Sequence, residues 1–247
     1  MIAKCDDDII GMRKAGKITG LTLKMIESEI KPGISTLYLD KLINSFIIEH
    51  GAKPSFLHYN GFPASACISV NETVVHGIPS DNIVLKEGDI VSVDVGACFN
   101  GYHGDAARTF PVGKISNEKQ KLIDVTKQCF FEGINALKIG ERLGLLMNAV
   151  QSYAEKNGFS VVRELVGHGI GKHLHENPNV PNYGLKNEGI IVPKNIFLAV
   201  EPMINLGRRE IYIEDDGWTI KTRDGKPSAH YENTIFVSEN GVEILTI

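Results

Sequence analysis

Two stretches of this chain match each other at a constant offset. Gly33 and Gly51 precede Gly140 and Gly158 by 107 residues each (140 − 33 and 158 − 51), and each glycine closes a segment with helical character. The first segment spans residues 7 to 31, led by Asp6, Asp7 and Asp8 as N-cap candidates and stopped by Lys31-Pro32-Gly33. The next runs from Thr36 to His50, with Leu39, Leu42, Ile43, Phe46 and Ile47 on one face. Later, Ser116 opens a helix reaching Lys138, and another carrying Leu146, Val150 and Tyr153 ends at Gly158. The offset continues into the strands. GDIVSVDVG at 88–96 lies 107 residues before NIFLAVEPM at 195–203, which superposes Asp94 on Glu201. DAARTF from Asp105 resembles ENTIF from Glu232 at an offset of 127, so about 20 extra residues must intervene, and 206–227 is the obvious insertion.

A helix-helix-strand-strand pattern stated twice implies an α+β fold of two pseudo-symmetric halves, with helices covering a curved antiparallel sheet. One domain, 1–247, is expected, divided into half-repeats of about 1–113 and 114–247, because only a turn and a helix cap near Gly113–Asn117 separate them. An approximate two-fold between the halves brings Asp94, Asp105, Glu201 and Glu232 together near its axis.

Asn100-Gly101 predicts a two-residue hairpin in which Phe99 faces Tyr102. Asp94 then lies opposite Ala107 and Asp105 opposite Gly96, so both acids point to the same side, together with Ser92, Gly96, Cys98 and His103. Taken singly, each fits an edge carboxylate facing solvent. Four acids gathered inside a protein repel one another and lose hydration unless cations neutralise them, and two divalent ions with bridging carboxylates would do so. His168, between Gly167 and Gly169, offers a further ligand; alone it would read as a satisfied core residue. GHGIGK is one residue too short for a phosphate loop and carries His173 where Ser or Thr is needed, and no HExxH or GxSxG is present. Cys67 has no evident base partner beyond His76. His173 and His175 alternate about Leu174 and could share a strand face. An oxygen-rich set with one imidazole suits Mn²⁺, Fe²⁺ or Co²⁺ at least as well as Zn²⁺, and metal-assisted hydrolysis is its natural use.

Composition narrows the setting. A net charge of −4 argues against DNA binding or membrane-surface attachment through bulk positive charge. Four scattered cysteines without a CxxC pair fit a reducing compartment, and the opening residues carry no signal-peptide pattern, so a soluble cytoplasmic protein is expected.

Several long segments closely resemble the type I methionine aminopeptidases of the pita-bread metalloprotease family. They are SACISVNETVVHGIP, GDIVSVDVGACFNGYHGDAARTF, VVRELVGHGIGKHLHE, AVEPM, and DGWTIKTRDG through AHYENTIFV. The resemblance covers nearly the whole chain. It implies a pita-bread fold and two divalent metal ions (Co, Mn, Fe or Zn) on Asp94, Asp105, His168, Glu201 and Glu232. In the family, Asp105 and Glu232 bridge the ions, Asp94 completes one site, and His168 with Glu201 completes the other. The implied reaction removes the N-terminal methionine of nascent polypeptides, preferentially before a small second residue. Glu201 would shuttle the proton, His175 would stabilise the reacting carbonyl oxygen, and His76 would contact the scissile amide. Tyr59, Phe62, Cys67 and Trp218, with His76 and His175, would bind the substrate. Leu174 stands where many members carry Phe, and Phe56 where some carry a smaller residue, while His103 has no ligand role in the family. A compact, bacterial-like monomer acting near the ribosome exit is also implied, without the extra N-terminal domain of aminopeptidase P and prolidase. The alternatives are a dinuclear aminopeptidase of other specificity and a non-catalytic pita-bread peptide-binding protein.

Overall fold

Two of the four glycines directly follow a helix C-cap, Gly51 after His50 and Gly158 after Asn157, whereas the helices expected to run to Lys31 and Lys138 end earlier, at Glu27 and Ala136. In the computed structural model, which describes residues 1–247, Gly33, Gly51, Gly140 and Gly158 all have φ between +74° and +90°, the left-handed region in which glycine alone carries no Cβ penalty. The first half contains α1 (Asp6–Glu27), α2 (Thr36–Glu49), β1 (Lys53–Pro54), β2 (Ala66–Val70), β3 (Thr73–Val75), β4 (Ile90–Phe99) and β5 (Tyr102–Pro111). Then come α3 (Asn117–Ala136), α4 (Gly144–Lys156), β6 (Ser160–Val161), β7 (Gly167–Gly169), β8 (Glu176–Val180), β9 (Ile196–Val200) and β10 (Met203–Asn205). The chain finishes with β11 (Ile211–Ile213), β12 (Ile220–Thr222), β13 (Ser228–His230), β14 (Asn233–Ser238) and β15 (Gly241–Ile244).

Two helix starts differ in chemistry. Ser116 caps α3 through its side chain, which accepts from the Lys119 amide. The expected aspartate cap of α1 is instead Cys5, with no side-chain cap bond. The three aspartates occupy the first turn, where their charge still favours the helix dipole, and Asp8 accepts from the Lys4 amide at 2.9 Å.

All strand pairing is antiparallel, distributed over four hydrogen-bonded sheets: β1-β4-β2 with β5 on β4, β13-β10-β6, β11-β12-β3, and β15-β14-β9-β7-β8. Alternation sorts each long strand into a core face and a site face. Val91, Val93 and Val95 of β4 pack with Leu39, Ile43 and Ile47 of α2 and Ile18 and Ile26 of α1. Burying each such side chain contributes about 1.5–3 kcal/mol. In the second half, Ile196, Leu198 and Val200 of β9 pack in the same way against Leu122 and Phe130 of α3 and Leu146 and Val150 of α4. Val91 and Val93 thus stand 107 residues before Leu198 and Val200 on equivalent faces, which sends Asp94 and Glu201 away from the helices. No helix is long and apolar enough to cross a membrane.

The insertion at 206–227 folds as the β11–β12 ribbon, and β12 adds to β3 at Ile220–Val75. It presents Trp218 to the body of the protein.

Candidate metal centre and active site

The β4–β5 hairpin pairs as its Asn-Gly turn predicts: Phe99 with Tyr102, Asp94 with Ala107, and Gly96 with Asp105. Both aspartates therefore face one side. A seam between β5 and β14 then joins the halves. Ala107 and Glu232 exchange backbone hydrogen bonds at 3.0 and 3.3 Å, and Thr234 Oγ1 accepts from the Asp105 amide and donates to the Asp105 carbonyl, each at 2.9 Å. Thr234 pairs with Ala199 of β9, which pairs with His168 of β7. This transverse row carries Asp105 and His168 to the same place as Glu232, and Glu201 follows β9 directly.

Asp94, Asp105, His168, Glu201 and Glu232 line one cavity of about 200 Å³ together with His76, His175, Tyr59, Phe62, Cys67 and Trp218. Every site residue expected from the sequence thus reaches it. Phe56 and Leu174 line it too, whereas His103 is absent and its Nδ1 contacts Ser55 Oγ at 2.9 Å. His173 and His175 do not share a strand face, because residues 171–175 form bends ahead of β8. His173 is exposed, its amide donating to Glu176, while the ring of His175 lies 4.1 Å from that of His168.

The electrostatics are those of charges short of solvent and of counterions. Burial, reinforced by neighbouring carboxylates, pushes Asp94, Glu201 and Glu232 well above the usual carboxylate range, and burial pushes Asp105 up to about 7. Burial, then the nearby His175, lowers His76 to about 4 and His168 to about 3. Asp94 Oδ1, Asp105 Oδ1 and Glu232 Oε1 are buried without a hydrogen-bond partner. The Nδ1–H of His168 donates to the Gly169 carbonyl at 2.9 Å, which leaves the Nε2 lone pair for the cavity, 3.8 Å from Asp105 and 3.7 Å from Glu201. Unpaired oxygens and a free imidazole lone pair fit a divalent cation. Two groups of donor atoms lie within 4.8 Å of one another: Asp105, His168 and Glu232 form one, and Asp94, His230 and Glu232 the other. Glu232 belongs to both.

His230 is the residue that the sequence reading did not single out. Its two-residue spacing from Glu232, which in extended chain puts both on one face, is the signal that could have found it.

Around the acids the walls turn aromatic. The Phe62 and Trp218 rings meet edge to face at 5.2 Å, and Tyr59 Oη lies 2.8 Å from His175 Nδ1. His76 sits just after β3 with φ of +57°, a left-handed conformation rare for a non-glycine residue and concentrated at functional sites. At about 200 Å³ the cavity falls below the roughly 300–1,000 Å³ of pockets for larger ligands and admits little more than one side chain.

An acid cluster with imidazole donors, set beside an apolar recess, is the donor set of a hydrolytic metal centre. The model of Metallopeptidase family M24 matches residues 10–239. A methionine aminopeptidase of Clostridium perfringens is 52% identical over 100% of this chain and 99% of its own length, and methionine aminopeptidase 1 of Bacillus subtilis is 50% identical with the same coverage. The crystal structure of methionine aminopeptidase from Rickettsia prowazekii superposes with a TM-score of 0.97 at 43% identity, covering 100% of both chains. The chain belongs to metallopeptidase family M24, and its fold is the pita-bread fold of the methionine aminopeptidases.

Proposed function

We propose that this protein removes the N-terminal methionine from nascent polypeptides, preferentially when the second residue is small, by hydrolysing the first peptide bond with the help of two divalent metal ions. The observation that carries the reading is a single small cavity lined both by a five-residue acid and imidazole set and by Phe62, Cys67 and Trp218. Similarity to methionine aminopeptidases over the full chain supports it.

Asp94, Asp105, His168, Glu201 and Glu232 hold the ions, with Co, Mn, Fe and Zn all compatible with the donors. Bound there, the ions would polarise the scissile carbonyl and lower the pKa of an attacking water. The chain's own groups do the rest. Glu201 accepts the water proton on its carboxylate and delivers it to the departing amide nitrogen. His175 donates toward the carbonyl oxygen as charge builds there, and His76 holds the scissile amide. The free α-amine, available only at a chain start, binds on the Asp94 side, so internal peptide bonds are not cut. The unbranched thioether of methionine packs against aromatic edges, which suits Tyr59, Phe62 and Trp218.

The same reading makes the protein one catalytic domain, 1–247, of two half-repeats, 1–113 and 114–247, working as a monomer in the cytoplasm near the ribosome exit. The equivalent core faces of β4 and β9 support the half-repeats.

The test is hydrolysis of Met-Ala-Ser and Leu-Ala-Ser by metal-stripped protein as Mn²⁺, Fe²⁺, Co²⁺ or Zn²⁺ is restored without oxygen. Metal-dependent release of methionine, far faster than leucine, is expected, and Glu201→Gln should abolish it while leaving the fold intact. Failure of every metal to restore cleavage in a folded sample would leave a peptide-binding protein instead.

A further inference from the structure

The acid cluster is flanked by two imidazoles. His230, at the end of β13, is 1% exposed, and neither ring nitrogen has a hydrogen-bond partner. Its Nε2 lies 3.8 Å from Glu201 Oε2 and 3.7 Å from Glu232 Oε2. The same two separations relate His168 Nε2 to Asp105 Oδ2 and Glu201 Oε1, so each oxygen of Glu201 faces one ring. Both distances exceed the roughly 2.7–3.2 Å of an N–H···O bond, so neither pair is hydrogen-bonded. They come close instead to an edge of a coordination polyhedron, since two donors about 2.1 Å from one ion at 90–120° stand roughly 3.0–3.6 Å apart.

The ring is also firmly placed. The His230 amide donates to Thr109 Oγ1 at 2.8 Å, and Thr109 Oγ1 donates to the His230 carbonyl at 2.9 Å. Ser92 Oγ holds that hydroxyl from its other side at 2.8 Å. A buried ring whose backbone is pinned by three strands and whose Nε2 meets two carboxylate oxygens without a hydrogen bond leaves that nitrogen unsatisfied, a costly arrangement unless a cation completes it.

We propose that His230 is a sixth protein ligand, whose Nε2 binds the cation held by Asp94 and Glu232, so that each of the two ion positions carries one imidazole. This rests on the metal-centre reading above. A nitrogen donor on the Asp94 side moves the preference of that position away from Mn²⁺ and toward Fe²⁺, Co²⁺ and Zn²⁺, because imidazole suits the later metals better than an all-oxygen set.

Cobalt provides a readout independent of turnover. Metal-stripped full-length protein with ¹⁵N-labelled histidine is titrated with Co²⁺, and the strongly shifted imidazole N–H signals of metal-bound histidines are counted by NMR. Two are expected at saturation, one from His168 and one from His230. His230→Gln should remove one signal, leave the other, and weaken one of two calorimetrically resolved binding steps by about 10–100-fold. A single shifted signal in the unmodified protein overturns the proposal, even if the variant does not fold, and so do two signals and an affinity that His230→Gln leaves unchanged. Absence of any shifted signal and of any binding heat would instead remove the metal centre itself.

Discussion

His175 illustrates how one side chain is prepared by another. Tyr59 Oη reaches its Nδ1 at 2.8 Å, and a hydroxyl donating there fixes the tautomer that carries a proton on Nε2. Burial lowers the pKa of His175, so the ring is neutral at pH 7 and, in the proposed reaction, would donate a hydrogen bond without carrying charge. Removing a pre-aimed donor of this kind costs about 10²–10³ in kcat. His175→Ala should show such a loss in steady-state assays on Met-Ala-Ser, with a smaller change in KM. Tyr59→Phe should lower kcat less and leave metal affinity alone; an unchanged kcat in both variants would remove His175 from the reaction.

Elements matter here through how closely they approach. Gly104 in β5 lies against α1, and a Cβ at this position would stand 2.7 Å from the Gly16 nitrogen and 2.8 Å from the Ala15 carbonyl carbon. Neither is a flexible side-chain end, so helix and strand would have to part. Gly104→Ala should destabilise the protein by about 1–3 kcal/mol. Because Asp105 follows directly, Mn²⁺ affinity should fall with it; calorimetry and a thermal melt check both, and an unaltered melt would contradict the close packing. Much at this scale was legible in the sequence. Asn100-Gly101 set the register of β4 and β5, and Gly51 and Gly158 of the 107-residue repeat marked the ends of α2 and α4, while α1 stops at Glu27, well before Gly33, and α3 at Ala136. Other features were set by tertiary contact and leave no local mark. The 206–227 segment was recognisable as extra length, but its docking on β3 depends on partners far away in sequence. His173 and His175 alternate as strand residues do, yet residues 171–175 form bends, so alternation alone misled.

Across the whole molecule, the unusual carboxyls tie stability to pH and to metal. Without cations, Asp105 titrates near 7, and Asp94, Glu201 and Glu232 lie well above the usual carboxylate range. The unfolded chain releases these protons near pH 4. Between pH 6.5 and 8.5 the folded state thus binds more protons than the unfolded one, so stability falls as pH rises through that window. The buried His76, His168 and His230, lowered to about 4, 3 and 3, are neutral in the folded state but half protonated in the unfolded chain at about pH 6.5, so they partly offset the fall at the start of the window and cease to do so above about pH 7.5. Scanning calorimetry of metal-stripped protein should show Tm dropping from pH 6.5 to 8.5. Saturating Mn²⁺, which binds the deprotonated acids, should reverse the trend. A metal-free Tm that rises across this range would contradict the burial of the cluster. The site itself was legible to the extent that its acids announce themselves by type and spacing. His230 stayed hidden because a single histidine in AHYEN looks ordinary until the seam between β5 and β14 sets it beside Glu201.

That seam has a consequence for how the molecule comes into being. The proposed ligands stretch from Asp94 to Glu232, and the contacts that gather them join residues more than 120 positions apart. No early fragment of the chain can assemble the set, so tight capture of a cation has to wait until nearly the last strand has docked. On the proposed ligand set, metal uptake would therefore serve as a record of completed folding: a chain collapsed around its helices without the closed seam would remain unloaded.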